Sequence, residues 1–239
     1  HHHKGPAPTQ RVGKDPGAQG LGFRLGHFVE ACAKEGGLVH FHHKSAHVAG
    51  MGVMMGVEGA QFRLEKGVTQ RLEALRAYTD EPGKITRLYL SPAHIRSIDF
   101  IVEEMRKVGC DSVHVDALGT VVGRYEGKTS GLPALLIGSH IDTVVDGGAY
   151  DGALGVIAGI GVVESLYQAG ERLDFAIEIL AFGDEENVRF ASNLTSSRAL
   201  AGTLDEKALE AKDENGISIR DALISFGCDP SVWSALKRD

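Results

Sequence analysis

From position 67 onward the apolar positions fall into periods that define elements. In VTQRLEALRAYT, Leu72, Leu75 and Tyr78 share one helical face. Ser91-Pro92 opens the next helix, because serine suits the N-cap and proline the first helical position. Ile95, Ile98, Val102 and Met105 then recur at helical spacing until Gly109 stops the helix. Residues 112–116 alternate as a strand, and 119–126 (GTVVGRYE) read as its hairpin partner. Residues 134–137 make a short, wholly apolar strand of the type buried in a parallel sheet. A long apolar helix over 152–169 and a second buried strand over 173–183 (LDFAIEILAFG) complete a strand–helix–strand unit. Short helices follow near 197–201, 206–211 and 219–226.

The expected class is therefore α/β, with a mixed, mostly parallel sheet flanked by helices. Residues 1–65 follow no clean period. They hold eight of the eleven histidines, and the first twenty residues are rich in Gly, Pro and Lys, which predicts disorder. GHFVEACAKEGG suggests a short helix, and the three leading histidines read as the remains of a purification tag. The expected division is a poorly ordered, His- and Gly-rich extension over 1–65 and a folded region over 66–239.

Composition narrows the function classes. The formal net charge is −7, the wrong sign for a protein that lives on phosphate contacts, so no nucleic-acid partner is expected. No stretch approaches about 18 consecutive apolar residues, so no membrane span is expected. Cys32, Cys110 and Cys228 are far apart and odd in number. They suit a reducing, cytoplasmic setting better than a disulfide scaffold. No G-x-G-x-x-G fingerprint accompanies GALGVIAG, whose glycines suit close helix–sheet packing instead. No G-x-S-x-G elbow is present, which argues against a serine hydrolase.

The chemistry-bearing residues lie where the elements end. His140 and Asp142 follow the first buried strand, Asp151 precedes the long helix, and Glu185-Glu186 follow the second buried strand. Sites in open α/β sheets form beyond the carboxyl ends of the strands, so these segments are expected to converge. Taken singly, Asp151 reads as an N-cap, the Glu pair as a solvated face and His140 as a polar contact. Taken together, the carboxylates would repel one another unless a cation offsets them. His140 offers an imidazole nitrogen, and Asp142 can reach its other ring nitrogen to fix the tautomer. Asp151 can bridge two metals. One of the glutamates can ligate while the other takes a proton from the attacking water.

Three segments, GSHIDTVVDGGAYDGALGV, AFGDEENVRF and SSRALAGTLD, resemble in order and spacing the amidase/carbamoylase branch of the M20-like metallopeptidases. ITRLYLSPAHIRSIDFIVEEMRKVG and VDALGTVVGRYEGK are similar to it as well. Within that branch the segments resemble the allantoate amidohydrolases, of which the N-carbamoyl-L-amino-acid hydrolases and β-ureidopropionases are close relatives. The resemblance implies an incomplete M20-like catalytic domain. It implies two divalent cations, Mn²⁺ first and Zn²⁺, Co²⁺ or Ni²⁺ as substitutes. His140, Asp151 and Glu186 are the implied ligands, Glu185 the implied general base and Asp142 the residue that orients His140. The implied reaction is hydrolysis of a ureido or amide C–N bond in a small molecule, for allantoate giving ureidoglycine, ammonia and carbon dioxide. The full-length family member is implied to be a homodimer.

Departures from the family pattern accompany these matches. Thr120 stands where the branch usually has Asn, Asn187 where a small residue is common, and Ser196 where Gly often precedes Ser-Arg. Further metal-binding histidines of the family are expected beyond residue 239. Three protein ligands for two metals imply weak metal affinity and little or no activity for these residues alone. The chain is thus expected to be a fragment or a degenerate product, and an inactive binding or dimer-partner module is the alternative of another class. The tract HFHHKSAH (His40, His42, His43, His47) fits no zinc-finger spacing and reads as an incidental His-rich segment.

Overall fold

The computed structural model of the chain describes residues 39–40, 58–192 and 194–238. Ten helices and strands, with two 3₁₀ segments, occur among these residues. They are β1 (Val39–His40), α1 (Glu58–Leu75), α2 (Pro92–Lys107), β2 (Ser112–Val115), β3 (Val121–Tyr125), β4 (Ala134–His140), α3 (Ala153–Ala169), β5 (Ala176–Phe182), α4 (Thr195–Leu200) and α5 (Ile219–Phe226). The 3₁₀ segments are Glu206–Glu210 and Pro230–Leu236. Apart from β1, the expected features of residues 1–57 lie outside the described residues. The helix α1 runs unbroken through position 65, where the composition changes.

The sheet has the order β1-β4-β5-β3-β2. It is mixed, as expected: β1 and β5 flank β4 in parallel, while β3 pairs antiparallel with β5 and β2 antiparallel with β3. Two of the four pairings are parallel. Every residue of the central strand β5 is buried, which explains its apolar sequence. The one charge in it, Glu178, is paired with Arg124 and Arg238. Ile177, Ile179 and Ala181 pack with α1, α2 and α3 on one face, while Leu180 and Phe182 join Val122 and Leu200 on the other. Edge strand β2 alternates between exposed and half-buried positions.

The helices form as their sequences dictate. The Ser91 hydroxyl accepts from the His94 amide at 3.2 Å, and Pro92 opens α2. Its buried face runs through His94, Ser97, Ile98, Ile101 and Met105, so Ile101 lies deeper than the half-buried Ile95 and Val102. The apolar helix α3 lies close on the sheet at Gly159, where an added Cβ would sit 3.1 Å from Ile137. Arg71 of α1 ties the three helices together through Glu104 of α2 and Glu164 of α3.

Candidate metal centre

The carboxyl ends of the parallel strands β4 and β5 open onto the N-terminus of α3, and here the expected site residues meet. One donor atom each from His140, Asp151 and Glu186 lies within 4.8 Å of the others. His140 is the last residue of β4. The bond from the Ile141 amide to the Phe182 carbonyl, at 2.9 Å, keeps the two strand exits side by side. Asp151 precedes the N-cap of α3, which is Gly152, and its carboxylate makes no capping bond. The N-cap reading of Asp151 is therefore not realised. The positive end of the helix favours an anion at that position.

His140 is held by Asp142. Its Nδ1 lies 3.0 Å from the Asp142 carbonyl oxygen and 3.4 Å from the Asp142 carboxylate. A carbonyl only accepts, so Nδ1 carries the proton and Nε2 is left to the site. Nε2 stands 3.8 Å from Asp151 Oδ1 and 3.9 Å from Glu185 Oε2. The other carboxylate oxygen of Asp142 accepts from the Glu186 amide at 3.1 Å. One buried carboxylate thus joins the loop after β4 to the loop after β5. Asp142 Oδ1 has no hydrogen-bond partner among the described residues.

Electrostatics mark the cluster as short of positive charge. Burial opposes protonation of His140, but the carboxylates of Asp142 and Glu185 outweigh it and lift the imidazole to about 9. Burial pushes Glu186 above the usual carboxylate range, and Asp151, Asp142 and Glu185 add to the push against the opposing pull of His140. A divalent cation would relieve that repulsion and displace the imidazole proton. The donors, one imidazole and two carboxylates, suit Mn²⁺ or Zn²⁺. These residues therefore fit the cations that the motifs imply.

Three residues that shape the site had no assigned role from the sequence. Gly152 has φ +63°, and a Cβ there would meet the His140 ring at 2.5 Å, so the glycine forms the floor under the imidazole. Asp184 adopts φ +64° and is 1 % exposed. It accepts from the hydroxyl and amide of Thr195, and burial raises its carboxyl to about 7. Arg87 holds the segment after His140. Ser196, a departure from the family pattern, donates its hydroxyl to the Gly183 carbonyl at 2.6 Å and so steadies the exit of β5. A cavity of about 510 Å³ lies beside the loop after β4, lined by Arg76, Lys84, Asp146 and Tyr150 among others. None of the clustered donors lines it.

An α/β domain with a candidate metal centre at the carboxyl ends of parallel strands is the class that fold and site define. Residues 120–213 match peptidase family M28. Over 162 residues the chain is 41 % identical to an N-carbamoyl-L-amino acid amidohydrolase of Geobacillus stearothermophilus, covering 67 % of this chain and 39 % of that protein. Over 173 residues it is 42 % identical to an allantoate deiminase of Arabidopsis thaliana, covering 70 % of this chain and 33 % of the relative. A crystal structure of a hydantoinase/carbamoylase family amidase from Burkholderia ambifaria superposes with a TM-score of 0.64 at 35 % identity, over 68 % of this chain and 40 % of that one. The chain belongs to the M28/M20-like hydantoinase/carbamoylase family. It spans about two fifths or less of the length of these relatives.

Proposed function

We propose that the chain carries the metal-holding part of an amidohydrolase that cleaves a linear ureido or amide C–N bond in a small molecule. The observation that carries this reading is the convergence of His140, Asp151 and Glu186, from three separate segments, within 4.8 Å. In this reading His140, Asp151 and Glu186 would hold the divalent cations, with Mn²⁺ preferred over Zn²⁺, Co²⁺ and Ni²⁺. Bound cations polarise a carbonyl and bring the pKa of water toward neutrality. Asp142 orients His140 and, through the Glu186 amide, couples the two ligand-bearing loops. Glu185, beside His140 Nε2, takes the proton from the attacking water and passes it to the leaving nitrogen.

Ureido acids of the allantoate type are the first substrate class, with N-carbamoyl-L-amino acids second, in line with the names of the relatives. Hydrolysis of allantoate would release ureidoglycine, ammonia and carbon dioxide. A cytoplasmic homodimer belongs to the same proposal. The second reading, a metal-poor binding module, draws on the count of three protein donors for two cations. Ammonia release from allantoate and from N-carbamoyl amino acids, with and without Mn²⁺, separates the two. The hydrolase reading expects slow, Mn²⁺-dependent release that Glu185→Gln abolishes. Release that is absent, or unchanged by that substitution, contradicts it.

A further inference from the structure

The segment that bears His140 and Asp142 has an anchor outside the donor cluster. Arg87 sits in the apolar run ITRLYL and is 2 % exposed. Its Nε donates to the Ile141 carbonyl at 2.6 Å, and its Nη1 donates to the carbonyls of Tyr78 at 3.0 Å and Leu75 at 3.3 Å. Its main chain takes part as well. The Arg87 amide donates to the Thr143 hydroxyl at 2.9 Å, and the Thr143 amide donates to the Arg87 carbonyl at 3.0 Å. Arg87 therefore grips residues 141 and 143, on either side of Asp142. At its far end the guanidinium reaches the C-terminal end of α1, where it shares the Leu75 carbonyl with the Tyr78 amide and adds the Tyr78 carbonyl beyond the helix.

A buried guanidinium is costly, and capping one helix could be done from the surface. Burial lowers its pKa to about 10, against the opposing charges of Asp142 and Asp80, so it stays protonated at neutral pH. Loss of its planar fork would free the Ile141 carbonyl and loosen the backbone that aims Asp142 at His140 Nδ1.

We propose that Arg87 is a positioning residue for the metal centre, fixing Ile141 and Thr143, and with them the Asp142 carboxylate, against the end of α1. The proposal rests on the metal reading given above. It acts through Asp142 and touches neither cation nor substrate.

The test uses the 239-residue chain, Arg87→Met and Arg87→Lys. Mn²⁺ affinity is read site by site, as the midpoint of paramagnetic broadening at the Gly152 amide. Amide hydrogen exchange at Ile141 and Thr143 is compared with that at Ile177 and Ile179 of β5. Under conditions where circular dichroism shows each variant folded, Arg87→Met should lose about tenfold or more in Mn²⁺ affinity, and Arg87→Lys about threefold. Exchange at residues 141 and 143 should rise while β5 stays protected. A residue that only caps α1 would lower the denaturation midpoint and leave the affinity of folded molecules alone. Affinity within about twofold of the parent, with unchanged exchange at 141 and 143, overturns the proposal. If Arg87→Met does not fold, the Lys variant decides by the same readings. If the parent chain itself binds no Mn²⁺, the metal reading fails separately, and unchanged exchange in the variants then overturns the role of Arg87.

Discussion

Gly152 shows how closely the centre is built at the level of single residues. Its backbone lies at φ +63°, and the space a Cβ would need is filled by the His140 ring. Gly152→Ala therefore meets both conformational strain and a steric clash. It should cost about 1–3 kcal/mol in urea denaturation and weaken Mn²⁺ binding by turning the imidazole. An unchanged denaturation midpoint with unchanged binding would show that the ring does not rest on this glycine. The convergence of His140, Asp151 and Glu186 was legible in the sequence, because they are polar residues at the ends of apolar runs. The position of Asp142 and of the Glu185-Glu186 pair was legible for the same reason, while the division of roles between the two glutamates came only from the family resemblance. Arg87 and Asp184 were not, because sequence alone does not tell a buried charge from a solvated one. The one available signal for Arg87 was a lone cation inside ITRLYL. Asp184 stood in an acidic triplet, which hid its separate attachment to Thr195.

Among the elements, α2 carries a buried titratable group, and this makes its packing testable. His94 is fully buried, with Nδ1 accepting from the Leu90 amide at 3.3 Å and its ring edge-on to Tyr89. Burial, with Arg87 and Arg189 adding, depresses the imidazole to about 4 against the pull of Asp142 and Asp80. The folded pKa lies below the ordinary value of about 6.5, so the unfolded chain takes up the proton first as pH falls. The contribution is complete above about pH 6.5 and is lost toward pH 4, on the order of 3 kcal/mol in all. Urea midpoints measured from pH 7 to 4.5 should fall more steeply for the chain than for His94→Asn. Parallel pH profiles would contradict the buried, neutral imidazole. The elements were well marked wherever the sequence supplied punctuation. Ser91-Pro92 placed the start of α2, and 219–226 became α5 with Ser218 as its N-cap. The strand read over 173–183 begins only at Ala176, because the ladder with β3 and β4 decides where pairing starts. The helix read over 206–211 is 3₁₀, a hydrogen-bond pattern that apolar spacing does not reveal. The 3₁₀ segment Pro230–Leu236 had no periodic signal.

At the scale of the whole molecule, the strand–helix–strand unit was readable, but the order of the sheet was not. The hairpin partner β3 docks antiparallel on β5, a long-range pairing that no local pattern encodes. It places β5 in the centre, buried on both faces, and leaves the β4 and β5 exits side by side, where His140 and Glu186 emerge. The two-residue β1 was unreadable in a region without period. The proposed activity depends on the convergence of three distant segments on a cation. Paramagnetic broadening of the amide signals by Mn²⁺ tests this most directly, because it locates even a weakly held ion. Broadening should centre on residues 140–142, 151–153 and 184–186, and be lost in Asp151→Asn. Broadening spread over the surface acids, or confined to the histidines at 40–47 with residues 140–142 untouched, would contradict it.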